Sequence, residues 1–185
     1  MAKRRKYEKK WLEFDVLKSI IENTKNPMDR LVLKLQYDSA SRVTEILRLK
    51  RENIDLNAGS ITLEVLKSDG KIKTRFLSEA TLKDLRAWLK KHKVSYGYIF
   101  PNPDNRSVYV GIAKRLRTTG KKIGITGLST HWMRSSRAVH LLHDGHDIQT
   151  VREELAHQSI NSTEHYIRES GIGNKKVMEK SKPKW

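Results

Sequence analysis

The chain contains no cysteine among its 185 residues. A disulfide scaffold, a cysteine-ligated zinc site and a thiolate-held iron–sulfur cluster are therefore excluded. No run of roughly 18 apolar residues is present, so no transmembrane helix is expected, and the N-terminus lacks the apolar core of a signal peptide. Proline and glycine are sparse, with 4 and 10 residues, and neither gathers into a linker. No repeat or low-complexity stretch divides the chain. Acidic residues are the other shortage: 21 Asp and Glu stand against 38 Lys and Arg, a net charge of +17. Such an excess points to a polyanionic partner, nucleic acid before a membrane surface. No membrane association is expected, and the expected location is the cytoplasm, in association with nucleic acid.

The charge is unevenly placed. Residues 1–10 carry a net +5 and residues 174–185 a net +4, which leaves +8 for the body between them. Basic tails alone read as solvated or disordered segments. A body that is itself basic should present a positive face to a phosphate backbone. The expected organisation is a basic arm over 1–10, one domain over 11–170 and a basic tail over 171–185. A domain of this size buries about 70% of the surface its unfolded chain exposes.

Residues 11–25 place Leu12, Val16, Ile20 and Phe14, Leu17, Ile21 at helical spacing. Pro27 opens a second helix with Leu31, Val32 and Leu35 on its apolar side. A short third helix carries Val43, Ile46 and Leu47. The period then changes to two. Ile61, Leu63 and Val65 alternate with Thr62, Glu64 and Leu66, Asp69-Gly70 marks a hairpin turn, and Ile72, Thr74 and Phe76 return. Residues Asn53 to Leu56 supply a third short strand, with Asn57-Ala58-Gly59 as its turn.

Helical spacing resumes at Ser78, a cap for Leu82, Leu85, Trp88 and Leu89. Ser107 starts another helix, Thr130 caps one that runs to Gly145, Asp147 caps the next, and residues 162–169 form a short last helix. The fold class is α+β, mainly helical with a small antiparallel three-stranded sheet.

Several polar residues suit one chemistry. His131 and Arg134 are three apart on a predicted helix and share a face. His157 and Tyr166 follow at the C-terminal side. Taken singly, each has an ordinary structural explanation. Together they supply what metal-free phosphodiester cleavage needs: a forked cation for phosphate oxygens, donors of near-neutral pKa, and an oxygen nucleophile. The spacing His140-x-x-His143-x-x-His146 imitates a metal site. Gly145 ends the helix before His146, however, and no acidic residue completes the shell, so these histidines read as surface or DNA-facing.

Over most of its length the sequence resembles the tyrosine recombinase (phage integrase) family. Arg42, in Asp-Ser-Ala-Ser-Arg-Val-Thr-Glu-Ile-Leu, looks like the family's first arginine, usually preceded by Gly-Leu, and Glu45 keeps the acidic position three residues on. Lys67 looks like the hairpin lysine, with Lys71 as competitor across the turn. His131-Trp132-Met133-Arg134 matches His-x-x-Arg, and Leu155-Ala156-His157-Gln158-Ser159 is similar to Leu-Gly-His-x-Ser. Tyr166 falls at the usual distance beyond. Ala156 replaces a glycine, and Ser41 and Ser135 replace a common Leu and His.

The resemblance implies the tyrosine recombinase catalytic fold and a site of Arg42, Lys67, His131, Arg134, His157 and Tyr166. It implies site-specific cleavage and rejoining of double-stranded DNA through a 3′-phosphotyrosyl intermediate, without cofactor or metal, by a homo-oligomer that forms a tetrameric synapse on DNA. A type IB topoisomerase-like enzyme and a catalytically silent DNA-binding module are the competing readings. Family members usually carry an N-terminal helical domain that, with the catalytic domain, forms a clamp around DNA. The residues before Arg42 read instead as the first helices of the catalytic domain.

Overall fold

The computed structural model describes residues 10–65, 71–101 and 106–156. In chain order these form α1 (Phe14–Asn23), α2 (Pro27–Asp38), α3 (Val43–Leu47), β1 (Ile54–Asp55), β2 (Ser60–Glu64), β3 (Ile72–Phe76), α4 (Glu79–His92), α5 (Arg106–Lys122), α6 (His131–His143) and α7 (Ile148–Leu155). A single turn of 3₁₀ helix at Arg51–Asn53 leads into β1. The α+β architecture expected from the sequence is the one observed.

Local chemistry explains most boundaries. Pro27 occupies the first turn of α2, and the Asn26 side chain accepts the Asp29 amide at 3.2 Å. Ser78 and Asp147 cap α4 and α7 by accepting the amides of Thr81 and Thr150. Thr130, in contrast, does not cap α6. Its backbone is already helical, and the His131 amide donates instead to the Ser129 hydroxyl at 3.3 Å. Helix α5 begins one residue before the expected Ser107. Helix α1 is shorter than the 11–25 stretch, and Phe14 is 60% exposed, whereas Leu12, which precedes the helix, is buried with its amide on the Ser136 hydroxyl. The proposed turn at Asp69-Gly70, the helix over 162–169, and both basic tails apart from Lys10 lie outside the described residues.

The apolar side chains form three packed groups. One joins α2, α3, α4 and the inner face of the sheet through Leu35, Ile46, Ile61, Leu63, Leu85 and Phe100. A second gathers Leu17, Ile20, Leu33, Leu116, Trp132 and Met133 around α1 and α6. The third sets Trp11 and Ala40 against α6 and α7 through Val139, Leu142, Val151 and Leu155. Arg115 of α5 adds a bidentate pair at 2.6 and 2.8 Å to buried Asp29 of α2.

The sheet is antiparallel in the order β1-β2-β3. Its register sets Leu63 opposite Lys73 and Ile61 opposite Arg75. Directly opposed residues share a face, so the inner face reads Ile61, Leu63, Lys73 and Arg75. The apolar residues of β3 turn outward: Ile72 is 70% and Phe76 73% exposed, while Lys73 is buried. The pattern of β3 is therefore inverted, with cations inside and apolar side chains outside.

Candidate active site

Two helix ends and one strand converge on a buried carboxylate. Arg42 precedes α3 in extended conformation, and its amide donates to Glu45 Oε2 at 2.9 Å, half of a capping box. Its guanidinium returns to Glu45 Oε1 at 2.9 Å. From the sheet, Lys73 Nζ lies 3.4 Å from Glu45 Oε2. The Glu45 side chain has no exposed surface, and that of Lys73 is 5% exposed.

Burial opposes ionisation of Glu45, but the charge of Lys73, the backbone and side-chain hydrogen bonds of Arg42, and then the charge of Arg134 outweigh it and hold the carboxyl below its usual range. Lys73 is pushed down to about 8, first by desolvation and then by the charges of Arg134 and Arg75, with Glu45 acting in the opposite sense.

Arg134 projects from the second turn of α6 and is completely buried. Its Nη1 donates to the Ala40 carbonyl at 2.7 Å and its Nη2 to the Leu155 carbonyl at 2.5 Å. One guanidinium thus ties the turn after α2 to the end of α7. Both turns are built on a left-handed alanine, Ala40 at φ 50° and Ala156 at φ 48°. The turn at Ala40 is a Schellman motif: the Ser41 amide donates to the Gln36 carbonyl and the Ala40 amide to that of Tyr37, each at 3.2 Å.

His131, the first residue of α6, sits at the surface where the charges of Arg134 and Arg42 reach it. Partial desolvation first, and then those two guanidiniums, keep its pKa below the ordinary value.

Of the six site residues expected from the sequence, Arg42, His131 and Arg134 are described, and they are brought together from segments about 90 residues apart in the chain. Lys67, His157 and Tyr166 lie outside the described residues. Lys71, the competitor for the hairpin position, is exposed. Sequence reasoning overlooked Lys73 and Arg75. Their signal was the alternation of Ile72, Thr74 and Phe76 with two cations, which only the pairing register could turn inward. His140 is not the surface histidine it was expected to be. It bonds the Tyr37 hydroxyl at 2.8 Å and the Leu12 carbonyl at 2.9 Å, with its ring edge-on to Trp11.

Residues 10–171 match the phage integrase family. The chain belongs to that family. Among curated relatives of this phage integrase domain, tyrosine recombinase XerA of Pyrococcus horikoshii is 28% identical over 177 residues, covering 94% of the chain and 61% of the relative. Tyrosine recombinase XerD of Staphylococcus epidermidis is 32% identical over 181 residues, covering 89% and 61%. The chain thus spans about three-fifths of the length of these relatives.

The fold is that of a crystal structure of XerA recombinase, with a TM-score of 0.78 at 24% identity over 99% of this chain and 67% of that one. The catalytic domain of bacteriophage HP1 integrase matches with a TM-score of 0.67 at 19% identity, over 94% of this chain and 95% of that domain. Among the described residues no helix is long and apolar enough to cross a membrane.

Proposed function

We propose that this chain is the catalytic domain of a site-specific DNA recombinase, working on double-stranded DNA in the cytoplasm. The observation that carries the reading is the gathering of Arg42, His131 and Arg134 around the buried Glu45–Lys73 pair in a member of the phage integrase family. The basic body supports DNA as the partner, and phosphate contacts from the arm over 1–10 would add sequence-independent grip.

In this reading the Tyr166 hydroxyl oxygen attacks the scissile phosphorus. The bond to the 5′ oxygen breaks, and the 3′ end remains as a phosphotyrosine. Arg42, part-exposed, and Arg134, buried where a charge is worth more than in water, stabilise the charge of the pentavalent phosphorus. His131 and His157 hydrogen-bond a non-bridging oxygen or take the tyrosine proton, and Lys67 protonates the departing 5′ oxygen. Attack by a 5′-hydroxyl of another strand reverses the sequence and rejoins the DNA, so the phosphodiester energy is conserved and no nucleotide is spent. Exchange between duplexes implies a homo-oligomeric, tetrameric assembly on DNA, with the segment over 171–185 available for contacts between copies.

The test is incubation with nicked suicide duplexes, whose short cleaved fragment diffuses away and traps the adduct. A covalent protein–DNA band on denaturing gels that disappears in Tyr166→Phe supports the reading. An adduct that persists in Tyr166→Phe removes the nucleophile assignment.

A further inference from the structure

Arg75 joins the sheet to the end of α7. It stands on the inner face of β3, opposite Ile61. Its Nη2 donates to the carbonyls of Glu153 and Glu154 at 2.8 and 2.9 Å, its Nη1 to the Thr74 carbonyl at 2.9 Å, and its Nε lies 2.9 Å from Glu154 Oε2. The carbonyls of Glu153 and Glu154 belong to the last turn of α7. The next one, that of Leu155, is held by Arg134. Three successive carbonyls at one helix end are therefore gripped by two guanidiniums, one from the sheet and one from α6.

The last four carbonyls of a helix have no partner within it, and together they carry a partial negative charge that cations at the C-terminus stabilise. An interior arginine spent on them is an expensive arrangement, because its side chain is only 16% exposed. A surface lysine or water could satisfy the same carbonyls more cheaply. What Arg75 adds is location. It fixes the α7 end against β3, a strand of the hairpin that carries Lys67 in sequence, while Arg134 is braced on the very next carbonyl. Ala156 then closes the helix in left-handed conformation, and His157 is the following residue of the chain.

We infer that Arg75 is a positioning residue: by clamping the α7 terminus it sets the carbonyl against which Arg134 is oriented, and so the aim of that charge at the scissile phosphate. The inference rests on the recombinase reading above. Arg75 itself touches no reacting atom. Its effect belongs in the rate of the chemical step rather than in DNA affinity.

The experiment measures single-turnover adduct formation at saturating DNA, using a pool of nicked duplexes of random central sequence, together with DNA affinity and thermal unfolding. Arg75→Ala is expected to lower the rate constant by up to about a hundredfold, the scale of a small misplacement, with the final amplitude and the affinity unchanged. Arg75→Lys should recover little, since an ammonium lacks the planar fork. Glu154→Gln removes the ion pair but keeps the clamp, and should stay within about threefold of wild type.

A merely structural role would reduce the amplitude, the fraction of competent protein, at an unchanged rate constant, and that result overturns the inference. So does a wild-type rate constant in Arg75→Ala, full recovery in Arg75→Lys, or a loss in Glu154→Gln equal to that in Arg75→Ala. Should Arg75→Ala fail to fold, Arg75→Lys carries the same comparison of rate constant against amplitude. Absence of any adduct from the wild-type chain removes the recombinase reading and this inference with it, whereas failure of Arg75→Ala alone leaves that reading in place.

Discussion

Ala40 and Ala156 are both left-handed, and a single guanidinium bridges their turns: Arg134 bonds the carbonyl of Ala40 and that of Leu155, the neighbour of Ala156. Left-handed backbone costs an L-residue roughly 1–2 kcal/mol that glycine does not pay. The two alanines stand where the family pattern has the glycines of Gly-Leu-Arg and Leu-Gly-His. The strain is therefore located at both supports of Arg134.

Ala156→Gly should relieve that strain. After allowance for the greater freedom of glycine in the unfolded chain, the gain is about 0.5–1 kcal/mol, or a rise of roughly 1–4 °C in Tm. Ala40 is wholly buried against Trp11 and α6, so Ala40→Gly also loses a packed methyl group and should gain less. Differential scanning calorimetry of the two variants reads both effects.

Glu45 is the only carboxylate shown to pair with Arg42 and Lys73 among the described residues, and its side chain is fully buried. Glu45→Gln removes the carboxylate that Arg42 and Lys73 share in a low-dielectric interior. A loss of about 3–5 kcal/mol is expected, because removing one partner of a buried pair strands the other. Chemical denaturation measures it. A change under 1 kcal/mol would show that the cations find other compensation.

Lys73 titrates near 8 in the folded protein, below its unfolded value of 10.5. Between those pH values the unfolded state binds more protons than the folded state, so this group makes stability rise with pH across that window. The slope is absent in Lys73→Met. The stability difference between wild type and Lys73→Met should shift in favour of wild type by on the order of 2–3 kcal/mol from pH 8 to 10.5. Parallel pH–stability curves would contradict the assignment.

His131 should titrate below about 6.5 in the free protein, because desolvation and the charges of Arg134 and Arg42 disfavour its imidazolium. Arg42→Ala removes one of those charges and should move the midpoint upward. Imidazole proton shifts measured by NMR across pH 4–8 report both values.

Much of this architecture was legible in the sequence, for identifiable reasons. Pro27, Ser78 and Asp147 act through their nearest neighbours, so their helix starts could be read locally. The strands at Ile54–Asp55, Ser60–Glu64 and Ile72–Phe76 followed from short-range alternation and turn residues. His131 and Arg134 were paired by helical spacing, whereas Arg42 was joined to them only by a resemblance linking distant segments that no local rule connects. Lys73 and Arg75 escaped, since which face of β3 is buried depends on its register with β2 and not on its own composition. Thr130 was misjudged because Ser129, one residue earlier, provides the acceptor at that turn. The place of His140 depended on Trp11 and Tyr37, more than 100 residues away, which no spacing rule anticipates.

The central claim is that Tyr166 carries a covalent bond to DNA, and peptide mapping by mass spectrometry tests it most directly. The wild-type protein trapped on nicked duplexes, digested with nuclease and protease, should yield a peptide bearing a 3′-linked nucleotide on Tyr166. Arg134→Ala should reduce that peptide strongly, and Tyr166→Phe should abolish it. A nucleotide found on another residue, or its persistence in Tyr166→Phe, would contradict the account.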